Sequence, residues 1–205
     1  SADFSPSKYA LRLNIPGEHN LLNGMAAMAA CSLLGVPPER SMRALETFKG
    51  IKRRLELVGT AHGVRIIDDF ASNPGKISAS VKTAQQGSTR TIVIFQPHGF
   101  QPTKMMKQGY IDSFISLLGK NDLLLMPDIY YAGGTANLVN GEIVQLPTDI
   151  SSKDITDAVT AGGRQARYIG QRTGIIPFLK EFCRSGDTVI VMGSRDQTLS
   201  DFAAD

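Results

Sequence analysis

The chain has 205 residues, room for one domain and part of another. Apolar residues make up 42% and charged residues 20%, with a net charge of +3, a composition that excludes a disordered chain. No apolar run reaches membrane-spanning length, and the only basic cluster, Lys49, Lys52, Arg53 and Arg54, is too short for a nucleic-acid surface, so neither a membrane nor a nucleic acid is expected as a partner. Cys31 and Cys183 both fall in helical patterns among apolar neighbours and read as buried reduced thiols, which with the missing secretory signal points to the cytoplasm. Residues 1–6 are polar and irregular, and read as a cut inside a longer chain.

In chain order, residues 9–15 alternate Leu11, Leu13 and Ile15 and predict a short strand ended by Pro16-Gly17. Residues 19–34 are apolar almost all round and alanine-rich, the pattern of a buried helix, with Gly35 where a left-handed cap belongs. Pro37-Pro38 opens a second helix striped by Met42, Leu45 and Phe48 and closed by Gly50. Residues 57–61 and 64–68 predict a hairpin turning at His62-Gly63. Asn73-Pro74 then starts a helix to about Gln86. Residues 91–95 and 123–126 are continuous apolar strands, with a helix carrying Met106, Tyr110, Phe114 and Leu117 between them. Asn140-Gly141 marks a turn into an edge hairpin over 142–146. Residues 152–161 are helical and 166–169 form a strand. A helix striped by Ile175, Leu179 and Phe182 ends at Gly186, strand 188–192 follows, and a short helix comes after Arg195. This alternation predicts an α/β fold: a Rossmann-like, mostly parallel sheet with helices on both faces, preceded by a helical piece. The boundary divides residues 1–50 from 51–205.

Open parallel sheets bind ligands at the carboxyl ends of their strands. That rule selects Asp68-Asp69, Gln96-Pro97-His98, the stretch 128–135 and Gly193-Ser194-Arg195-Asp196. Paired carboxylates suit ribose hydroxyls or a metal ion; alternatively one caps the next helix and the other is solvated. His98 is exposed and functional, or simply structural. His62 in its hairpin turn is solvated. Tyr130-Tyr131 with Gly133-Gly134 lines a pocket or forms a plain loop. The turn at 193–196 can offer N–H groups and an arginine to an anion. The sequence contains no phosphate loop of the G-x-x-x-x-G-K-[ST] type, no G-x-G-x-x-G, no G-x-S-x-G and no Cys/His metal spacing. By itself it is therefore not a self-sufficient nucleotide hydrolase or dehydrogenase.

Four segments in order resemble the Mur ligases: residues 15–23 (Ile-Pro-Gly-Glu-His-Asn-Leu-Leu-Asn) with the alanine-rich helix and Leu34-Gly35; residues 48–56 (Phe-Lys-Gly-Ile-Lys-Arg-Arg-Leu-Glu); residues 67–74 (Ile-Asp-Asp-Phe-Ala-Ser-Asn-Pro); and residues 95–98 (Phe-Gln-Pro-His). The last is most similar to the branch that joins L-alanine to UDP-N-acetylmuramate. The resemblance implies that 1–50 is the tail of a central ATP-binding domain and 51–205 the C-terminal domain, a lid that brings the acceptor. It implies an ATP-dependent ligase of peptidoglycan synthesis that forms an amide through an acyl phosphate. ATP and Mg2+ are the implied cofactors, with the metal ligands outside this chain, which alone would be inactive. The implied partners are a UDP-N-acetylmuramate-type nucleotide precursor and an amino acid or short peptide acceptor. By resemblance Asn23 binds the adenine edge, Arg54 the ATP phosphates as the catalytic residue, and Asp69 the ribose; His98, Phe70, Ser72 and Asn73 face the substrate. The sequence departs from the alanine-adding pattern at Phe70, at Ser72-Asn73, and at Gly99 and Pro102, where that branch carries arginines. This leaves open the related ligase that reattaches a recycled tripeptide, and a non-catalytic binding module of the same fold.

Overall fold

The computed structural model describes residues 10–131, 137–139, 142–144 and 149–205, with the backbone alone at 137–139 and 142–144. They fall into two compact units, divided between Ile51 and Lys52.

The first unit is built on α1 (Glu18–Leu33) and α2 (Pro38–Glu46). Gly35, at φ +80°, lets the chain turn back over the end of α1, where its N–H donates to Ser32 O and that of Val36 to Cys31 O, both at 3.0 Å. Pro38 occupies the first turn of α2, whose first N–H groups have no helical partner. Two expectations fail here. Residues 10–15 form no strand, because none of the described residues pairs with them and alternation alone does not close a ladder. Tyr9 lies outside the described residues. The apolar helix is not buried either: Gly24, beneath Leu11 and Leu13, is its one buried residue, while Leu22 and Leu33 are 58% and 89% exposed. A two-helix unit covers only one stripe of such a helix. Cys31 and Cys183 are free but half-buried.

The second unit is a six-stranded sheet in the order β1-β2-β8-β3-β4-β7. Strands β1 (Glu56–Ala61) and β2 (Val64–Asp69) form the antiparallel hairpin, turning at His62 and Gly63, both at positive φ, with a bulge between Leu57 and Gly59. All other pairings, among β2, β8 (Asp187–Met192), β3 (Arg90–Phe95), β4 (Leu123–Pro127) and β7 (Gln165–Gly170), are parallel. β5 (Asn137–Val139) and β6 (Glu142–Val144) pair as a separate two-stranded ladder, not on the sheet edge; their turn, Asn140-Gly141, lies outside the described residues.

Alternate side chains of each strand point to opposite faces. Val93, Phe95, Leu124, Met126, Ile190 and Met192 pack under α3 (Pro74–Gln85), α4 (Phe100–Leu117) and α5 (Ser152–Ala161). Ile92, Ile94, Leu123, Leu125, Val189 and Val191 pack under α6 (Ile175–Phe182) and α7 (Thr198–Ala204). The expected Rossmann-like sheet covered on both faces is thus observed. Local chemistry starts the helices. Asn73 Oδ1 accepts the Lys76 N–H at 3.0 Å with Pro74 in the first turn, and Ser151 with Asp154 forms a reciprocal capping box.

Phe95 anchors the first layer, fully buried with its ring centroid 5.0 Å from Tyr110 and 5.7 Å from Phe114. Phe95→Ala should cost about 3–5 kcal/mol in urea unfolding, the usual range for a large buried ring. A loss below roughly 1 kcal/mol would mean that these layers are not close-packed.

Candidate functional site

Strand β8 is last in the chain but lies between β2 and β3. Its following loop therefore sits between the ends of its two neighbours, where Gly193 N–H donates to Asp69 O and Gln96 N–H to Met192 O. Gly193 is required there, since a Cβ would stand 2.8 Å from Gln96 O and 2.7 Å from Leu199. Asp68-Asp69, residues 193–196 and Gln96-Pro97-His98 thus converge on one edge. Beyond β4, the Gly99 N–H donates to Tyr130 O and the Tyr130 N–H to Pro97 O, so the loop after β4 joins the same edge.

Arg53 ties these ends together. It is 8% exposed and left-handed at φ +58°. Its guanidinium donates to Gly193 O at 3.0 Å and Asp196 O at 3.2 Å, and Nε lies 3.3 Å from Asp68 Oδ2. The last contact is an ion pair without hydrogen-bond geometry, since Nε has no hydrogen-bond partner. Asp68 is fully buried and also accepts from Ser200 Oγ at 2.9 Å. The Arg53 carbonyl accepts the Phe70 N–H at 2.8 Å. The alternative in which one carboxylate caps the next helix and the other is solvated fails, since Asn73 is the α3 cap and both carboxylates are buried. Asp69 is 5% exposed and accepts from Ser80 Oγ. Its pKa is raised, chiefly because burial disfavours the charged form; Ser80, the following N–H groups and the nearby Arg54 partly offset this.

Arg54 is exposed, with its guanidinium carbon 5.3 Å from the centroid of the half-buried Phe70. Ser72 is half-buried and its carbonyl accepts from Tyr110 OH; the Asn73 side chain is engaged as the α3 cap. His98 is half-buried, its Nδ1 2.9 Å from Ser194 Oγ, and burial first and Arg195 second lower its pKa. Phe100 packs against Tyr131 at 5.9 Å just beyond it. Arg172, at the end of β7, donates to Asp196 Oδ2 at 2.8 Å, Gln96 Oε1 at 3.3 Å and Thr198 Oγ1 at 2.6 Å. The structure thus gathers Arg54, Phe70, Asp69, Ser72 and His98 around the strand ends. Asn23 is exposed on α1 of the first unit. Residues 132–135 of the loop singled out from sequence lie outside the described residues. No group of three or more His, Cys, Asp or Glu among the described residues could hold a metal ion. A cavity of about 700 Å³ opens elsewhere, between α6, α7 and the β1–β2 hairpin, and its lining is mainly apolar.

Residues 53–195 match the family described as Mur ligase, glutamate ligase domain. The chain belongs to the Mur ligase family. It is 34% identical over 184 residues to UDP-N-acetylmuramate–L-alanine ligase of Caldanaerobacter subterraneus subsp. tengcongensis, covering 89% of this chain and 37% of that protein. It is 35% identical over 187 residues to the enzyme of the same name from Agathobacter rectalis, covering 91% and 38%. This Mur ligase chain therefore spans under two fifths of the length of these relatives. Its fold is that of UDP-N-acetylmuramate–alanine ligase from Thermotoga maritima, with TM-score 0.66, 21% identity and coverage of 96% of this chain and 39% of that one. The murein peptide ligase of Psychrobacter arcticus gives a TM-score of 0.58 at 22% identity, covering 95% and 39%. Among the described residues, no helix is long and apolar enough to cross a membrane.

Sequence reasoning selected Ser194 within the segment 193–196 but missed Arg53, Ser80 and Arg172 as parts of this edge. Arg172 carried a usable signal, since it follows a strand at the carboxyl edge. Arg53 carried none, because it reads as one of four solvated cations.

Two predictions arise from these burials. Arg53→Met should destabilise by about 3–5 kcal/mol in denaturant titration, because it leaves Asp68 as an uncompensated buried charge; a loss under about 1 kcal/mol would show that the pair is not buried. Asp69, whose folded pKa is raised, contributes stability that is fully present below the ordinary carboxylate pKa and is lost as pH rises through its folded value. Asp69→Asn should therefore gain on the unmodified protein as pH rises from the acid range to 7. Unfolding free energies at several pH values check this, and an advantage that shrinks as pH rises counts against it.

Proposed function

We propose that this chain is the C-terminal part of a longer, ATP-dependent ligase of peptidoglycan synthesis, joining an amine to the carboxylate of a UDP-N-acetylmuramate-type precursor. The single observation that carries this reading is the gathering of Arg54, Asp69 and His98 at one strand-end edge, in a chain whose relatives are named UDP-N-acetylmuramate–L-alanine ligase. On this reading residues 1–50 are the tail of the ATP-binding domain and 51–205 the acceptor-bringing domain. ATP supplies the phosphoryl group that activates the precursor's carboxylate; the phosphate loop and magnesium ligands belong to the part outside this chain, which alone is inactive. The protein acts in the bacterial cytoplasm, where its precursor and ATP meet.

Asn23 offers an amide, donor and acceptor together, to the adenine edge. Arg54 is permanently charged and exposed, so its fork is available to phosphate oxygens and to charge developing during transfer. Asp69, oriented by Ser80, offers its carboxylate to a ribose hydroxyl. His98 is biased toward its neutral form by burial and Arg195, which keeps an imidazole rather than an imidazolium beside the incoming amine. Phe70 carries the Arg54 guanidinium on its face and, with Ser72, borders the substrate; Asn73 contributes indirectly, by starting α3. A tripeptide-reattaching ligase is the second reading, favoured by the Phe100–Tyr131 pair, an apolar wall suited to a longer acceptor.

Phosphate release by the full-length protein with ATP, the nucleotide precursor and a panel of amino acids and short peptides tests this. Arg54→Ala should lower turnover about 10²–10³-fold with precursor binding nearly unchanged, as expected for loss of one transition-state donor. Failure of every acceptor to support phosphate release would favour a binding module, and a mutant within roughly twofold of the parent would remove Arg54 from the site.

A further inference from the structure

Arg195 combines two features with no common structural cause. Its backbone is left-handed, φ +68°, a conformation that side-chain-bearing residues rarely adopt and glycine adopts freely. Its side chain is exposed and makes no ion pair or hydrogen bond among the described residues. Three other cations near this edge are engaged. Arg53 holds Asp68 and two carbonyls, Arg172 holds Asp196, Gln96 and Thr198, and Lys104 pairs with Asp149 at 2.5 Å. Arg54 lies over Phe70. For the fold alone, glycine at 195 would serve at least as well.

Both neighbours of Arg195 are anchored. Ser194 is 4% exposed and bonded to His98; Asp196 is 1% exposed, bonded to Arg172 and accepting from the Thr198 N–H at 2.9 Å. The base of the side chain is therefore fixed at the rim, beside His98, and its charge is close enough to oppose protonation of that ring. At the start of α4, positions 99 and 102 are glycine and proline and supply no side-chain donor. A strained position that keeps a free, planar, two-pronged cation at a ligand-binding edge is built for an anion that arrives with a ligand.

We propose that Arg195 determines acceptor specificity by binding the carboxylate of the incoming amino acid or peptide, next to His98. This rests on the ligase reading above, in which the acceptor is an amine that also bears a carboxylate.

The test is steady-state kinetics of the full-length ligase with its best acceptor and with the corresponding carboxamide, comparing Arg195→Gly and Arg195→Lys with the parent. Glycine suits the backbone and lysine keeps the charge without the fork. Arg195→Gly should raise the acceptor KM by about 10- to 100-fold, the worth of one charged hydrogen-bonding contact. It should leave the KM values for ATP and precursor within about twofold, abolish the preference for acid over amide, and hold or raise Tm. Arg195→Lys should fall between. An acceptor KM and acid preference that survive Arg195→Gly, a change confined to ATP or precursor, or a clear fall in Tm would each overturn the assignment. A parent enzyme silent with every acceptor fails differently: it removes the ligase reading, and this inference with it.

Discussion

A buried guanidinium that must satisfy its donors governs the carboxyl edge of the sheet. Arg53 reaches across from the turn before β1 to two carbonyls of the loop after β8 and to the carboxylate of Asp68. Burying such a cation is costly unless its charge and donors are matched, so the turn, the loop and the strand end can be arranged in few ways. Asp69, one residue from that anchored carboxylate, and Phe70, whose N–H meets the Arg53 carbonyl, take their positions from it. Arg172 does the same on the far side, through Asp196 and Gln96. The edge is thus a polar network closed from both flanks, and the residues left with exposed charge, Arg54 and Arg195, stand at its rim.

Topology is what allows so few side chains to do this. Because β8 enters between β2 and β3, three strand ends abut with little space between them, and a loop without a side chain at 193 is the one that fits. The parallel strands deliver their C-terminal residues to the same level, so residues far apart in the chain meet with no long connecting loop.

The parallel core was legible because its signals are local. Strands such as 91–95 are apolar on both faces, and Asn73-Pro74 and Ser151 announce their helices through cap chemistry. The strand ends followed from the general rule about open sheets. What could not be read was partnership. Residues 10–15 alternate like a strand yet have no described partner, and pairing is a property of two segments, not one. The apolar circumference of α1 announces a cover that the first unit does not provide. Arg53 and Arg54 are adjacent and chemically identical, and only a contact 143 residues away separates the buried clamp from the exposed one. Asp68 and Asp69 are likewise indistinguishable until Ser200 and Ser80 come near.

The left-handed turn in which Arg53 and Leu55 flank Arg54 has a mechanical consequence. Arg53 is clamped to the β8 loop, and Leu55 is buried in the core beside it. The backbone is thus pinned on both sides of Arg54. The root of the Arg54 side chain therefore keeps a fixed place on the same sheet edge as Asp69 and His98, whatever the exposed guanidinium does at its tip.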